Sequence, residues 1–193
     1  MARPREFDAE AVVDRAMQVF WAKGYEAASL DDLCEGTGLN RSSLYAAFGD
    51  KHALFLQTIE RYGDRAVTRV AAALSRPLHI REALAAFLAE MIDQIVAGPG
   101  RSGCFIGNCA AEVARHDRAA AVTVRRNLTR VEATFRDALV RATTRGELPP
   151  HADVKTLARF LVAGTQGLRL VGKTGAGRDV LEDVAGVMLR CLD

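Results

Sequence analysis

Apolar residues recur at steps of three and four through most of the chain and seldom alternate one by one with polar ones. That period belongs to helices, so the expected fold class is all-α, with about nine helices. Val12, Ala16, Val19 and Phe20 form a first stripe, opened by Asp8 as N-cap and closed at Lys23-Gly24, where glycine supplies the left-handed cap. Ser29 followed by Asp32 reads as a capping box for a helix through Leu33 and Cys34. Gly36-Thr37-Gly38-Leu39 reads as a tight turn, and Asn40 as the cap of a short helix carrying Leu44, Tyr45 and Phe48. Gly49 stops that helix. Asp50 starts the next, which continues through Leu54, Phe55, Ile59 and Tyr62 to Leu74 and ends before Pro77.

Downstream, residues 80–96 put Ala83, Leu84, Phe87, Leu88, Met91, Ile92 and Ile95 on one broad face, broken by Gly98-Pro99-Gly100. A long helix beyond Asp117 carries Val124, Leu128, Val131, Phe135, Leu139 and Val140 and runs to about Gly146, before Pro149-Pro150; its other side is rich in arginine. Two further helices are expected, from 154 to about 171 and from 180 to 192. The organisation this suggests is a small unit at 1–50 and a larger helical bundle at 51–193.

Composition excludes more than it selects. No run is long and apolar enough for a membrane span, and the opening MARPREFDAEAVV has charge and helical character where a secretory leader would be apolar; a cytoplasmic protein is expected. The 4 cysteines are scattered without a CxxC pair, so neither a metal site nor a disulfide framework is expected, and no cofactor motif is present. Gly172-Lys173-Thr174-Gly175 lacks the upstream glycine and strand of a phosphate loop and reads as a helix connection. Net charge is +2, and the first 52 residues hold six Lys or Arg against nine Asp or Glu, so bulk charge does not announce a polyanion partner.

Placement of charge changes that picture. Two short helices around a glycine turn, supported by a preceding helix, are the geometry that inserts one helix into the DNA major groove. The second of them offers Asn40, Arg41, Ser42 and Ser43 at its N-terminal end, with Leu44 and Phe48 turned inward. Arg3 and Arg5 lie on a leading basic arm, a candidate minor-groove contact set against the alternative of a plain basic terminus.

At this point the residues resemble a known family. Phe20-x-x-Lys23-Gly24-Tyr25, Ala28-Ser29-Leu30, Gly38-Leu39, Leu44-Tyr45-x-x-Phe48 and Lys51-x-x-Leu54 are similar, in order and spacing, to the N-terminal signature of TetR-type regulators. The resemblance implies an all-helical homodimer with a three-helix DNA head, a divergent effector domain and no enzymatic activity. It implies phosphate contacts from Ser29, Tyr45 and Lys51 and groove-facing roles for Arg41, Ser42 and Ser43. Where members often have histidine before the phenylalanine, this chain has Ala47, whose side chain has no polar atom to offer DNA.

The expected partners are therefore double-stranded operator DNA, a small-molecule effector and a second copy of the chain. Cys104, Asn108, Glu112 and His116 recur at four-residue steps and form one row if their segment is helical. With Phe87 and Met91 from the preceding apolar face, Cys104, Asn108 and Glu112 are the candidate effector residues; the alternative for Glu112 is a surface pair with His116. The GCFIGN stretch also resembles one TetR branch in which a cysteine at this point senses electrophiles or oxidants, which would give Cys104 that role; a buried, inert thiol is the competing reading. Phe160, Gly164, Leu168, Leu181, Val184 and Met188 are the expected dimer interface, against the alternative of a purely internal core. An enzyme built on cysteine and histidine, or a helical DNA-binding protein without a ligand, are the rival classes; neither a nucleophile elbow nor a metal cluster supports the first.

Overall fold

The computed structural model describes residues 8–98 and 102–192, which form nine helices and no strand. They are α1 (Ala9–Lys23), α2 (Leu30–Thr37), α3 (Arg41–Phe48), α4 (Lys51–Leu74), α5 (Ile80–Val96), α6 (Phe105–Glu112), α7 (Arg118–Thr144), α8 (Val154–Lys173) and α9 (Arg178–Arg190). The local signals act where the sequence places them. Asp8 accepts hydrogen bonds from the Glu10 and Ala11 amides, Ser29 and Asp32 close a reciprocal capping box, and Asn40 accepts from the Ser43 amide. One detail differs: Gly36 and Thr37 belong to the last turn of α2, and the reversal begins at Gly38.

The chain divides into two compact units. The first holds the described residues up to Tyr62 together with Asn108–Val124; the second holds those of 63–107 and 125–192. The division falls inside α4, α6 and α7. The boundary expected at residue 50 thus lies within the first unit, because the start of α4 supplies its core: Leu54, Phe55 and Ile59 are buried, and Phe55 meets the ring of Phe20 edge-on at 5.2 Å.

In the second unit α5, α8 and α9 pack together around Leu84, Phe87, Leu88, Met91, Ile92, Leu161 and Leu168, with Phe135 and Leu139 of α7 in the same core. The residues expected at the dimer face divide between this core and the surface of the protomer. Leu168, Leu181 and Met188 are 2% exposed or less and belong to this internal core, and the Met188 methyl fills the space a Cβ on Gly164 would occupy. Of the six residues, Phe160 and Val184 point outward. They share their faces with Leu170 and Val171 on α8 and with Val180 and Val187 on α9, all exposed. Helices α8 and α9 each carry apolar residues on two faces, one buried in the protomer and one exposed.

The N-terminus of α5 is capped from a distance. Glu147 accepts a 2.7 Å hydrogen bond from the Ile80 amide while pairing with Arg145. The Arg145 bond, helped by the amide, holds the Glu147 carboxyl down at about 2 against the opposing effect of desolvation. A pKa depressed on folding stabilises above the ordinary value of 4.5 and loses that stabilisation as pH falls toward 2. Glu147→Gln should therefore flatten the acid limb of stability between those values in denaturant titrations; an unchanged limb would count against this cap.

Candidate nucleic-acid interface

Gly38 turns the chain between α2 and α3 with φ +74°, a left-handed conformation in which a side chain at that position would be strained although the space around it is open. Asn40 then starts α3, its Oδ1 accepting from the Ser43 amide and from Ser42 Oγ, both at 2.8 Å. Leu44 and Phe48 are buried, whereas Arg41, Ser42 and Tyr45 are exposed and Ser43 is half-buried. The result is a short helix with one anchored face and one polar face in solvent. Arg41 extends to Asp31 of α2, with Nη2 to Oδ1 at 3.0 Å. An exposed pair of this kind contributes about 0–1 kcal/mol, less than the about 1–3 kcal/mol of a bidentate contact to a base, so Arg41 is able to exchange one for the other.

The flanks carry the remaining candidates. Ser29 is exposed at the start of α2, and its hydroxyl oxygen already accepts from the Asp32 amide. Asp32 in turn binds Lys23 at 2.6 Å; the Lys23 bond, followed by the amide and hydroxyl of Ser29, pulls its carboxyl down to about 2. Lys51, in the first turn of α4, places Nζ 4.6 Å from the centre of the Tyr25 ring and 3.5 Å from the Glu26 carbonyl oxygen. Arg3 and Arg5 lie outside the described residues. Arg41 and Ser42 thus stand exposed at the start of α3, Tyr45 is exposed in its middle, and Lys51 lies past its end, in the first turn of α4.

Residues 12–58 match the family model described as "Bacterial regulatory proteins, tetR family", and residues 81–185 match "Tetracyclin repressor-like, C-terminal domain". The chain is 36% identical over 189 residues to the HTH-type transcriptional repressor ComR of Escherichia coli K12, covering 97% of this chain and 90% of that one. It is also 34% identical to YezE of Bacillus subtilis, an uncharacterized HTH-type transcriptional regulator, over the whole of both chains. Among solved structures, a cysteine mutant of the TetR family regulator CifR, complexed with 26bp double-strand operator DNA, superposes with a TM-score of 0.88 at 29% identity, covering all of both chains. The chain belongs to the TetR family of transcriptional regulators.

This TetR-family regulator treats its expected effector residues unequally. Helix α6 begins at Phe105 and ends at Glu112, so Cys104 precedes it and His116 follows it; the four-residue row is broken at both ends. Cys104 is 7% exposed, Asn108 half-buried, and Phe87 and Met91 are close-packed in the core, with Phe87 edge-on to Phe135 at 5.9 Å. Glu112 does not pair with His116. Its carboxylate accepts from the backbone amides of Tyr25 and Glu26, at 3.1 and 3.0 Å, and His116 lies 3.6 Å from the Glu26 carboxylate. His52, next to Lys51, meets Asp117 at 2.7 Å. Neither link is readable from spacing, since each joins residues more than sixty positions apart.

Among the described residues no helix is long and apolar enough to cross a membrane, and no cluster of three His, Cys, Asp or Glu could hold a metal ion.

Proposed function

We propose that this TetR-family chain is a cytoplasmic repressor that binds a palindromic operator as a homodimer and leaves it when a small molecule occupies the larger unit. The observation that carries the DNA contact is the exposed polar face of α3, anchored by Leu44 and Phe48 and started by Asn40. Support comes from CifR, about 30% identical over nearly the whole chain, whose structures hold operator DNA. The apolar outer faces of α8 and α9, with Phe160, Leu170, Val171, Val184 and Val187 exposed, suit a second copy related by a two-fold axis. Two heads about one helical turn apart, roughly 34 Å, then read a palindrome.

The roles separate by measurement. Arg41→Ala is expected to relax preference at one base pair by about 1–3 kcal/mol. Lys51→Ala should weaken binding to every duplex and lower the salt slope by about 0.9 for each phosphate no longer neutralised. Operator selection from a random DNA pool followed by binding titrations decides both; equal effects of Arg41→Ala on operator and random DNA would remove it from the reading set.

An effector shifts the equilibrium between DNA-competent and incompetent forms by no more than its differential affinity for them. Phe87 and Met91, apolar residues of α5 in the larger unit, are the groups proposed to meet it. A thiol-sensing reading is favoured by one observation, the position of Cys104 directly before the start of α6. Cys104→Ser retaining full release by an electrophile would set that reading aside.

A further inference from the structure

Glu112 ends α6, yet its carboxylate acts on the turn between α1 and α2: Oε2 accepts from the Tyr25 amide at 3.1 Å and Oε1 from the Glu26 amide at 3.0 Å. Gly24 makes room for this grip. It adopts φ +82°, and a Cβ there would stand 2.8 and 2.9 Å from the two carboxylate oxygens. The turn so held presents two groups to Lys51, the Tyr25 ring at 4.6 Å and the Glu26 carbonyl at 3.5 Å. Five residues after Glu112, Asp117 binds His52, the neighbour of Lys51, at 2.7 Å. The surroundings of the Lys51 ammonium are thus anchored to the segment that closes α6 and opens α7.

We propose that Glu112 is a positioning residue for phosphate binding: by holding the 24–26 turn it sets where the Lys51 ammonium stands, so that a shift of α6 withdraws a backbone contact from DNA. The proposal rests on the operator-binding reading above. It gives Glu112 a place in signal transmission without direct contact to an effector. It also explains why glycine precedes the two amides of this turn, since a carboxylate accepting from successive amides needs close, unobstructed backbone.

The test measures operator affinity against salt for the wild-type protein, E112A, E112Q, K51A and E112A/K51A, with hydrogen exchange at the Tyr25 and Glu26 amides. E112A should speed exchange at those two amides and lower the salt slope as K51A does, by about 0.9 per phosphate no longer neutralised. It should weaken binding little further in the K51A background, because the ammonium it positions is already gone. E112Q, which keeps one acceptor, should fall between. Equal weakening by E112A in both backgrounds with an unchanged slope would show a merely structural role and overturn the proposal. If E112A does not fold, E112Q decides: faster exchange with an unchanged slope overturns it equally. Wild-type protein that binds no duplex at low salt would sink the operator-binding reading itself, whereas operator binding indistinguishable between wild type and E112A defeats only the positioning role.

Discussion

Phe55→Ala is expected to cost about 3–5 kcal/mol of stability, a large part of what a domain of this size possesses. Phe55 is 1% exposed at the start of α4, edge-on to Phe20 at 5.2 Å and 4.5 Å from the Tyr25 ring centre. Three rings from α1, the α1–α2 turn and α4 meet there, and truncation leaves a cavity that those helices, fixed by their caps and by the Arg61 pairs to Glu10 and Asp14, are poorly placed to fill. Because Tyr25, one of these rings, lies under the Lys51 ammonium, operator binding should disappear along with the folded head. Urea unfolding followed by helical signal checks this; a loss below about 1 kcal/mol would mean the site collapses freely and the aromatic cluster is not the core of the first unit.

The second large effect belongs to Gly63→Ala. On an open helix the change would gain about 1 kcal/mol from helix propensity. Here a Cβ on Gly63 would lie 1.8 Å from Oδ1 of Asn127, a fully buried amide on α7 that also accepts from Arg130 at 3.0 Å. Asn127 must turn away and break that bond, or α4 and α7 must separate. Overpacking costs about 1–3 kcal/mol and a stranded buried polar group about as much again, so a net loss of roughly 2 kcal/mol or more is expected despite the propensity gain. Asn127→Ala should rescue part of it, giving a coupling energy of about 0.5–3 kcal/mol in a double-mutant cycle. A Gly63→Ala protein as stable as wild type would show that the two helices yield at this crossing.

Much of the helix-turn-helix is legible in the order of residues alone. Asp8, Ser29 with Asp32, Asn40, Gly38 and Gly49 act on neighbours within four residues, so their signals are readable without knowing the rest of the fold. The apolar stripes likewise identify which helices have a buried face. A stripe records that a side chain leaves water, not what it leaves water for, and this is where the expected dimer residues part company: Leu168 and Phe160 both belong to the apolar set of α8, one entering the core of the protomer and the other facing outward.

What the chain determined unaided was therefore its helices, their ends and the recognition turn, because each depends on contacts a few residues long. The tertiary structure alone decided that Glu112 serves a turn 87 positions away, that Gly63 gives room to Asn127, and which faces of α8 and α9 remain uncovered. Those depend on how helices distant in sequence come to lie against one another, and neither periodicity nor cap chemistry carries that relation.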